Sequence, residues 1–521
     1  MKKSLLYKKI KKEDEQMSKR LIAVLVAILA VSFAIPAFAA VQNVKVSGDL
    51  LTRGISRTNF GLEKGRDNTS SIPTEQSNAD KENRSYFDAI ARIRVDADLT
   101  EGVGVTMRTI TERKWGRAGE DLTQDNEATK LDLDLAYVTL KDVLNVIDKG
   151  IDTPVALTIG RQELRYGNAF IIGSPTPGYN FVNNTAATIK IDGDLSLKKS
   201  FDAIKAVVDL KPLVVDLVYS KINEGTVTRY TQDRNDTDLF GINANYTGIA
   251  DTLLEGYWWL RLRDKGALTN STRYYAKKER TYVLGGRGVY TGLKINESPL
   301  IIGAELAWQF GNMRADAALN PDISNVYGYD ANKNYKRSAL GLQTNVSYTF
   351  DKIKYTPGLT VAYTYLSGAK GQGVDGGLEP YGAWDPMFED QGVGQIANAI
   401  FAQSNCHSWK LSGNMKPTAD TVLSADWIIT RLAKNFHEGQ VVTASGLTGG
   451  DTFIMSGKKD FYQEIDANLA YNYTEDVQFN LGGGVLIPGG SFAENNGNGA
   501  AGNNIKYNPA SQVIGSMKVT F

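Results

Sequence analysis

Cysteine, histidine and net charge are nearly absent from this chain. Its 521 residues include one cysteine and two histidines, too few for a disulfide framework or a metal cluster. Lys+Arg 58 balance Asp+Glu 58, so no basic excess argues for nucleic acid and no acidic tail argues for disorder. Proline is sparse at 14, and no shift in composition marks a linker between soluble domains. Carboxylates spaced like Asp132 and Asp134 arise from strand alternation alone, and no His or Ser constellation supports them. An enzyme is therefore not expected, and no cofactor or metal is implied. Cys406-His407 lacks the earlier cysteine of a haem-attachment motif. What the chain has in quantity is glycine, 51, and tyrosine, 25, which suits long strand ladders with aromatic anchors.

The N-terminus carries an address. Lys19 and Arg20 precede an apolar stretch from Leu21 to Ile35, then Pro36 and the small-x-small sequence Ala37-Phe38-Ala39. This pattern predicts a secretory signal peptide over 1–39 and a mature start at Ala40, with Met17 a plausible true initiator. The rival, a membrane helix of ~20 residues, is disfavoured by the proline and the cleavage site. Residues 40–521 are then expected to form one domain.

The dominant signal after Ala40 is period two. Phe87, Ala89, Ala91, Ile93, Val95, Ala97 and Leu99 alternate with Asp88, Ile90, Arg92, Arg94, Asp96 and Asp98. Leu131, Leu133, Leu135 and Tyr137 are read likewise as one face, opposite Asp132 and Asp134. Such a pattern puts apolar groups on one side of a sheet and charges on the other. Val155 to Glu163 and Phe201 to Asp209 are less regular, and a bulge or strand end is expected there.

Strands are expected near 43–58, 84–99, 102–115, 129–140, 154–163, 200–210, 213–222, 237–248, 252–264, 273–289, 300–312, 336–350, 356–368, 406–416, 419–432, 459–473, 475–486 and 511–521. The total is about eighteen, an even number of the kind found in single-chain outer-membrane barrels. Tight connections at Thr100-Glu101, Lys211-Pro212, Gly248 to Asp251, Asp351 to Tyr355, Pro417-Thr418 and Thr474 alternate with long ones rich in Gly, Asn, Asp and Ser. Among the long ones are Leu164 to Lys199 and Ala369 to Asn405.

The expected fold is thus an all-β transmembrane antiparallel barrel with periplasmic termini and long extracellular loops. A soluble sandwich or solenoid would have shorter strands or a fixed repeat. Tyr137, Tyr246, Trp308, Tyr348, Tyr363 and Tyr471 near strand ends fit interfacial girdles. Phe521 closes an alternating strand and resembles the terminal signal that barrel-assembly machinery reads. Gly482-Gly483-Gly484 lies within a strand and is read as room for a neighbouring side chain or as a bend, not as a phosphate loop.

Inward parity nominates Arg92, Arg94, Arg108, Asp132, Asp134, Glu255, Arg261, Arg263, Lys410, Glu464 and Asp466 as pore-lining residues, with Asp88, Glu305 and Asp426 sharing that face. These charges either pair across strands or, if the signs segregate, sort solutes by charge. The stretch Asn168 to Lys199 is long enough to fold inward, and Ile189-Lys190-Ile191 is read as a short strand within it.

Several motifs resemble the alginate export family of outer-membrane proteins. They are Gly160-Arg161-Gln162-Glu163 with Tyr166-Gly167, Ser200 to Ala203, Glu305 to Gly311 and Tyr363 to Gly368. Trp384-Asp385-Pro386-Met387-Phe388 resembles that family's Phe-Asp-Pro-Leu-Phe loop, and Tyr462 to Asp466 its late Gly-x-Glu-x-Asp strand. The resemblance implies an eighteen-stranded monomeric barrel in the outer membrane of a Gram-negative bacterium, passing an anionic or neutral exopolysaccharide through an electropositive constriction. It further implies outer-membrane lipid and lipopolysaccharide, the barrel-assembly machinery and periplasmic polysaccharide-export proteins as partners. The mixed charge of the inward positions departs from that constriction. A general diffusion porin and a surface binding or adhesion barrel are the alternatives.

Overall fold

A computed structural model describes residues 42–62, 83–116, 131–147, 149, 153–175, 191–223, 236–263, 278–314, 334–369, 381–401, 403–436, 438, 441–443, 452–492, 495–496, 504–505 and 507–521. The expected signal peptide over 1–39 lies outside them, as do Ile189 and Lys190 and most of the long connections.

Eighteen antiparallel strands make one sheet. They are β1 Gln42–Thr58, β2 Arg84–Thr100, β3 Val103–Lys114, β4 Asp132–Leu140, β5 Val155–Glu163, β6 Ser200–Leu210, β7 Leu213–Asn223, β8 Thr237–Tyr246 and β9 Thr252–Arg263. The second half comprises β10 Glu279–Ile295, β11 Ser298–Arg314, β12 Asn334–Thr349, β13 Gly358–Leu366, β14 Cys406–Thr418, β15 Thr421–Leu432, β16 Asp460–Asn472, β17 Val477–Pro488 and β18 Ala510–Thr520. Each strand pairs with the next, and β18 pairs back onto β1 from Asp49↔Thr520 to Thr58↔Ser511, so the sheet closes and has no free edge. Phe521 seals the seam: its backbone exchanges hydrogen bonds with Gly48 at 2.8 and 3.0 Å, and its ring lies over that glycine.

Alternation decides what each face carries. Outward positions leave large apolar side chains uncovered, among them Phe87, Leu284, Leu306, Val361, Ile465 and Leu481. Inward neighbours are polar, charged or covered by loops. A lipid solvent outside and water inside require this division. Aromatic groups gather toward both rims: Tyr282, Phe310 and Trp308 stack near the long-loop rim, while Tyr348 with Phe350 and Tyr473 with Phe479 lie near the rim of short turns.

Four sequence expectations need correction. Tyr137 is not a girdle residue; a register shift at Arg108/Thr109 places Asp134 and Leu135 together opposite β3 and reverses parity, so Tyr137 pairs with the inward Thr106 and hydrogen-bonds Arg94. No bulge interrupts β5–β6, which pair without a break from Val155↔Val208 to Glu163↔Ser200. The irregular charge there is an ion pair across the two strands, Arg161 to Asp202 at 2.7 Å, beside Gly160 at φ 125°, where a Cβ would lie 2.2 Å from the Ala136 carbonyl. β10 runs six residues beyond its expected end to a two-residue turn, Asn296-Glu297, both at positive φ, which the sequence does not advertise with a glycine. Finally, β14 continues through Pro417-Thr418 by a register shift and turns at 419–420. The short-turn rim also carries one longer connection, between β4 and β5, with a single helical turn Val143–Ile147. The start of β1 and the end of β18 lie toward this same rim.

A constricted lumen as candidate functional site

Several inward wall positions are apolar, which a water-filled barrel does not explain. Ile90, Ile110, Leu239, Trp259, Ile428 and Leu486 are all fully buried. They are covered because three connecting segments, 164–175, 191–199 and 381–401, fold into the barrel and bring apolar residues to them. Ile191, Leu195 and Leu197 pack on Ile90 and Ile110. Phe170, Ile171, Ile172, Trp384, Met387 and Phe388 share a cluster with Leu239, Trp259 and Val283. Ile396, Ile400 and Phe401 join Ile428, Leu432, Tyr462 and Leu486. Each side chain so covered is worth about 1.5–3 kcal/mol.

Buried charge pins the same segments. Asp385, in the Trp-Asp-Pro loop, accepts from Arg261 of β9 and lies 3.3 Å from Arg337 of β12. The Gln309 side chain brackets its backbone, donating to the Asp385 carbonyl at 2.6 Å and accepting its N–H at 2.8 Å. Burial disfavours the ionised carboxylate, but Arg261 and Arg337 overcome that and hold it well below the usual carboxylate range. Arg57 of β1 pairs with Asp192 at 3.0 Å and Asp194 at 2.5 Å, while Lys114 and Tyr86 also donate to Asp192. Burial opposes ionisation of Asp192 too, and Arg57 and Lys114 outweigh it, so its pKa is lowered. Arg53 pairs with Asp88 at 2.9 Å and donates to the Leu195 carbonyl.

The inward segments also hold each other. Gly173 donates to the Phe388 carbonyl at 2.7 Å, Phe170 stacks on Trp384 with centroids 5.0 Å apart, and Arg165 and Lys199 both pair with Asp390. Next to this, Glu389 is buried, and burial pushes its carboxyl up to about 7, against the partial stabilisation of the anion by the Gln391 N–H.

The charges nominated from sequence are distributed as follows. Arg92 pairs with Asp49 at 2.9 Å, Arg94 with Asp96 at 2.7 Å, and Arg108 with both Asp134 and Glu163. Asp132 accepts from Lys198, Glu255 lies 3.3 Å from Arg287, and Arg263 approaches Glu279 at 3.9 Å. Glu305 accepts from the Tyr257 hydroxyl at 2.8 Å. Lys410 pairs with Asp426 at 2.7 Å, and Glu464 and Asp466 accept backbone N–H groups of the 381–401 segment. Parity does not single out Arg53, Arg57, Glu279, Arg287, Arg337, Asp192 or Asp385 as pins. Their signal is a basic or acidic residue beside inward apolar neighbours, as with Arg53 and Arg57 flanking Ile55 in β1.

Two cavities of about 300 and 330 Å³ are both lined by Gly392 and Val393 of the loop tip. Lys410 lines both. One has Asp194, Asp426 and Asp466 on its wall; the other has Arg165 and Asp390 with Gln343, Thr364 and Ser408.

Among solved structures, Pseudomonas aeruginosa OpdO is 10% identical, with 92% of this chain and 98% of that chain covered at a TM-score of 0.47. Pseudomonas aeruginosa OccK2 (OpdF) in complex with glucuronate is 9% identical over 92% and 99%, at 0.48. A BenF-like porin from Pseudomonas fluorescens Pf-5 is 9% identical over 92% and 100%, at 0.47. No curated protein matches the chain. The family model for alginate export matches residues 49–507, which takes in most of β1 and all of β2 to β17, and the chain belongs to that family.

Proposed function

We propose that this outer-membrane pore passes carbohydrate-sized polar solutes, neutral or weakly anionic, and that a single glycan strand of an exopolysaccharide is the extended form of the same cargo. The observation that carries this reading is the pair of small cavities that share Lys410 and are lined by several charged and amide side chains. Their volumes stand at the lower end of the ~300–1,000 Å³ typical of ligand pockets, which suits a sugar unit and not a folded polymer. The lumen cations are mostly neutralised by adjacent carboxylates, so selectivity should rest on size and hydroxyl hydrogen bonding more than on a strong positive field. Family membership favours the glycan strand; the small cavities favour free small solutes as a second reading.

In this reading the short-turn rim and both termini face the periplasm of a Gram-negative cell, the leader 1–39 is removed, and residues 40–521 act as one monomeric domain. Phe521 at the seam is where the barrel-assembly machinery would engage. The test is single-channel conductance of the refolded mature protein in a planar bilayer, with polyuronate or a neutral polysaccharide added. Block by polymer supports glycan passage. Conductance indifferent to polymer supports small-solute diffusion, and a folded but silent barrel argues against a pore.

A further inference from the structure

Glu464 and Asp466 occupy successive inward positions of β16, where strand parity makes them wall charges open to solute. Their side chains end instead on the backbone of the 381–401 segment. The N–H groups of Ile396 and Ala397 donate to the two Glu464 oxygens at 2.6 and 2.9 Å, and that of Gln395 donates to Asp466 at 3.1 Å. Glu464 has no exposed surface. Gly394, just before these donors, has no room for a side chain, because a Cβ would lie 2.3 Å from a Glu464 carboxylate oxygen. Lys410 holds the other side of the tip, donating to the Val393 carbonyl at 3.3 Å. Gly392 and Val393 of the tip line both cavities.

By accepting two consecutive backbone N–H groups, the Glu464 carboxyl is tied to the loop at two points. With its carboxylate buried, Glu464 would be stranded without partners if the loop left, unless water followed. We propose that Glu464 is a positioning residue that sets the size limit of the pore. Its carboxylate, seconded by Asp466, latches the 392–401 segment to the β15–β16 wall, and release of the latch joins the two cavities into one wider passage. The inference rests on reading the molecule as a pore.

Two variants attack the latch from opposite sides. Glu464→Gln keeps the shape but turns an NH₂ toward one of the two backbone donors, and Gly394→Ala crowds the carboxylate from the loop. The full mature barrel, with folding checked by heat-modifiable mobility, is measured for unitary conductance and for the largest polyethylene glycol that enters the channel. Both variants are expected to admit larger polymers and to raise conductance by about twofold or more, as a wider constriction requires. A wild type that conducts, with folded variants unchanged in both readouts, overturns the latch. A wild type that does not conduct overturns the pore reading instead. If Glu464→Gln fails to fold, Gly394→Ala decides alone.

Discussion

Asp385 shows how one residue can organise a lumen. It meets two arginines from strands three apart and exchanges two hydrogen bonds with Gln309, so it fastens a loop to three strands, β9, β11 and β12. Asp385→Asn leaves Arg261 and Arg337 buried with less compensation, and losing one partner of a buried pair costs about 3–5 kcal/mol. The expected outcome is a lowered thermal midpoint in detergent and faster protease cleavage within 381–401. An unchanged midpoint and cleavage pattern would count against the pin. The same loop holds a group of opposite behaviour. The folded-state pKa of Glu389 is raised from 4.5 to about 7, so its contribution to stability is fully present below 4.5 and is lost as pH rises through about 7. Asp385, with its pKa depressed, contributes above the ordinary carboxylate range and loses that contribution only in strong acid. Loop docking should therefore loosen between about pH 5 and 8, seen as faster amide exchange at 388–391, and Glu389→Gln should flatten that dependence.

At the scale of elements, the β10–β11 hairpin joins two strands of 17 residues yet turns on Asn296-Glu297 with φ of 51° and 78°. A side chain at Glu297 carries a left-handed penalty of roughly 1 kcal/mol that glycine avoids. Its ion pair with Lys352 is exposed and offsets little. Glu297→Gly should raise the urea midpoint of unfolding from micelles; a fall would mean the pair matters more than the backbone. The glycine run in β17 works the other way. A Cβ on Gly484 would lie 2.0 Å from Asp466 and one on Gly482 3.0 Å from Asn468, so these positions make room for the neighbouring strand's side chains, as their place within a strand suggested.

At the scale of the whole molecule, closure and constriction are separate achievements. Closure depends on β1 meeting β18 and on Phe521 at the seam. Constriction depends on loops pinned inside an already closed wall. Arg92 and Arg94 test the electrical consequence, because both pair with carboxylates and still face the lumen. Replacing both by glutamate removes two positive charges and adds two negative ones, and should move the reversal potential under a salt gradient toward cation selectivity. An unmoved reversal potential would place those residues off the conduction path.

Much of this architecture is legible along the chain. Period-two patterning locates all eighteen strands, most to within about two residues, because every wall residue must face either lipid or lumen and a one-residue slip is penalised everywhere at once. It falters where parity itself breaks, at the Asp134-Leu135 bulge and at the Asn296-Glu297 turn, since both are backbone geometries without a diagnostic residue. The inward charges are readable as a set, and their pairing is not. Whether Arg261 meets a solute or Asp385, more than a hundred residues away, depends on which loops enter the barrel. That choice is made by tertiary structure alone: apolar patches on the inner wall can be covered only by segments distant in sequence, and the charges that hold those segments find their partners only once the cylinder has closed.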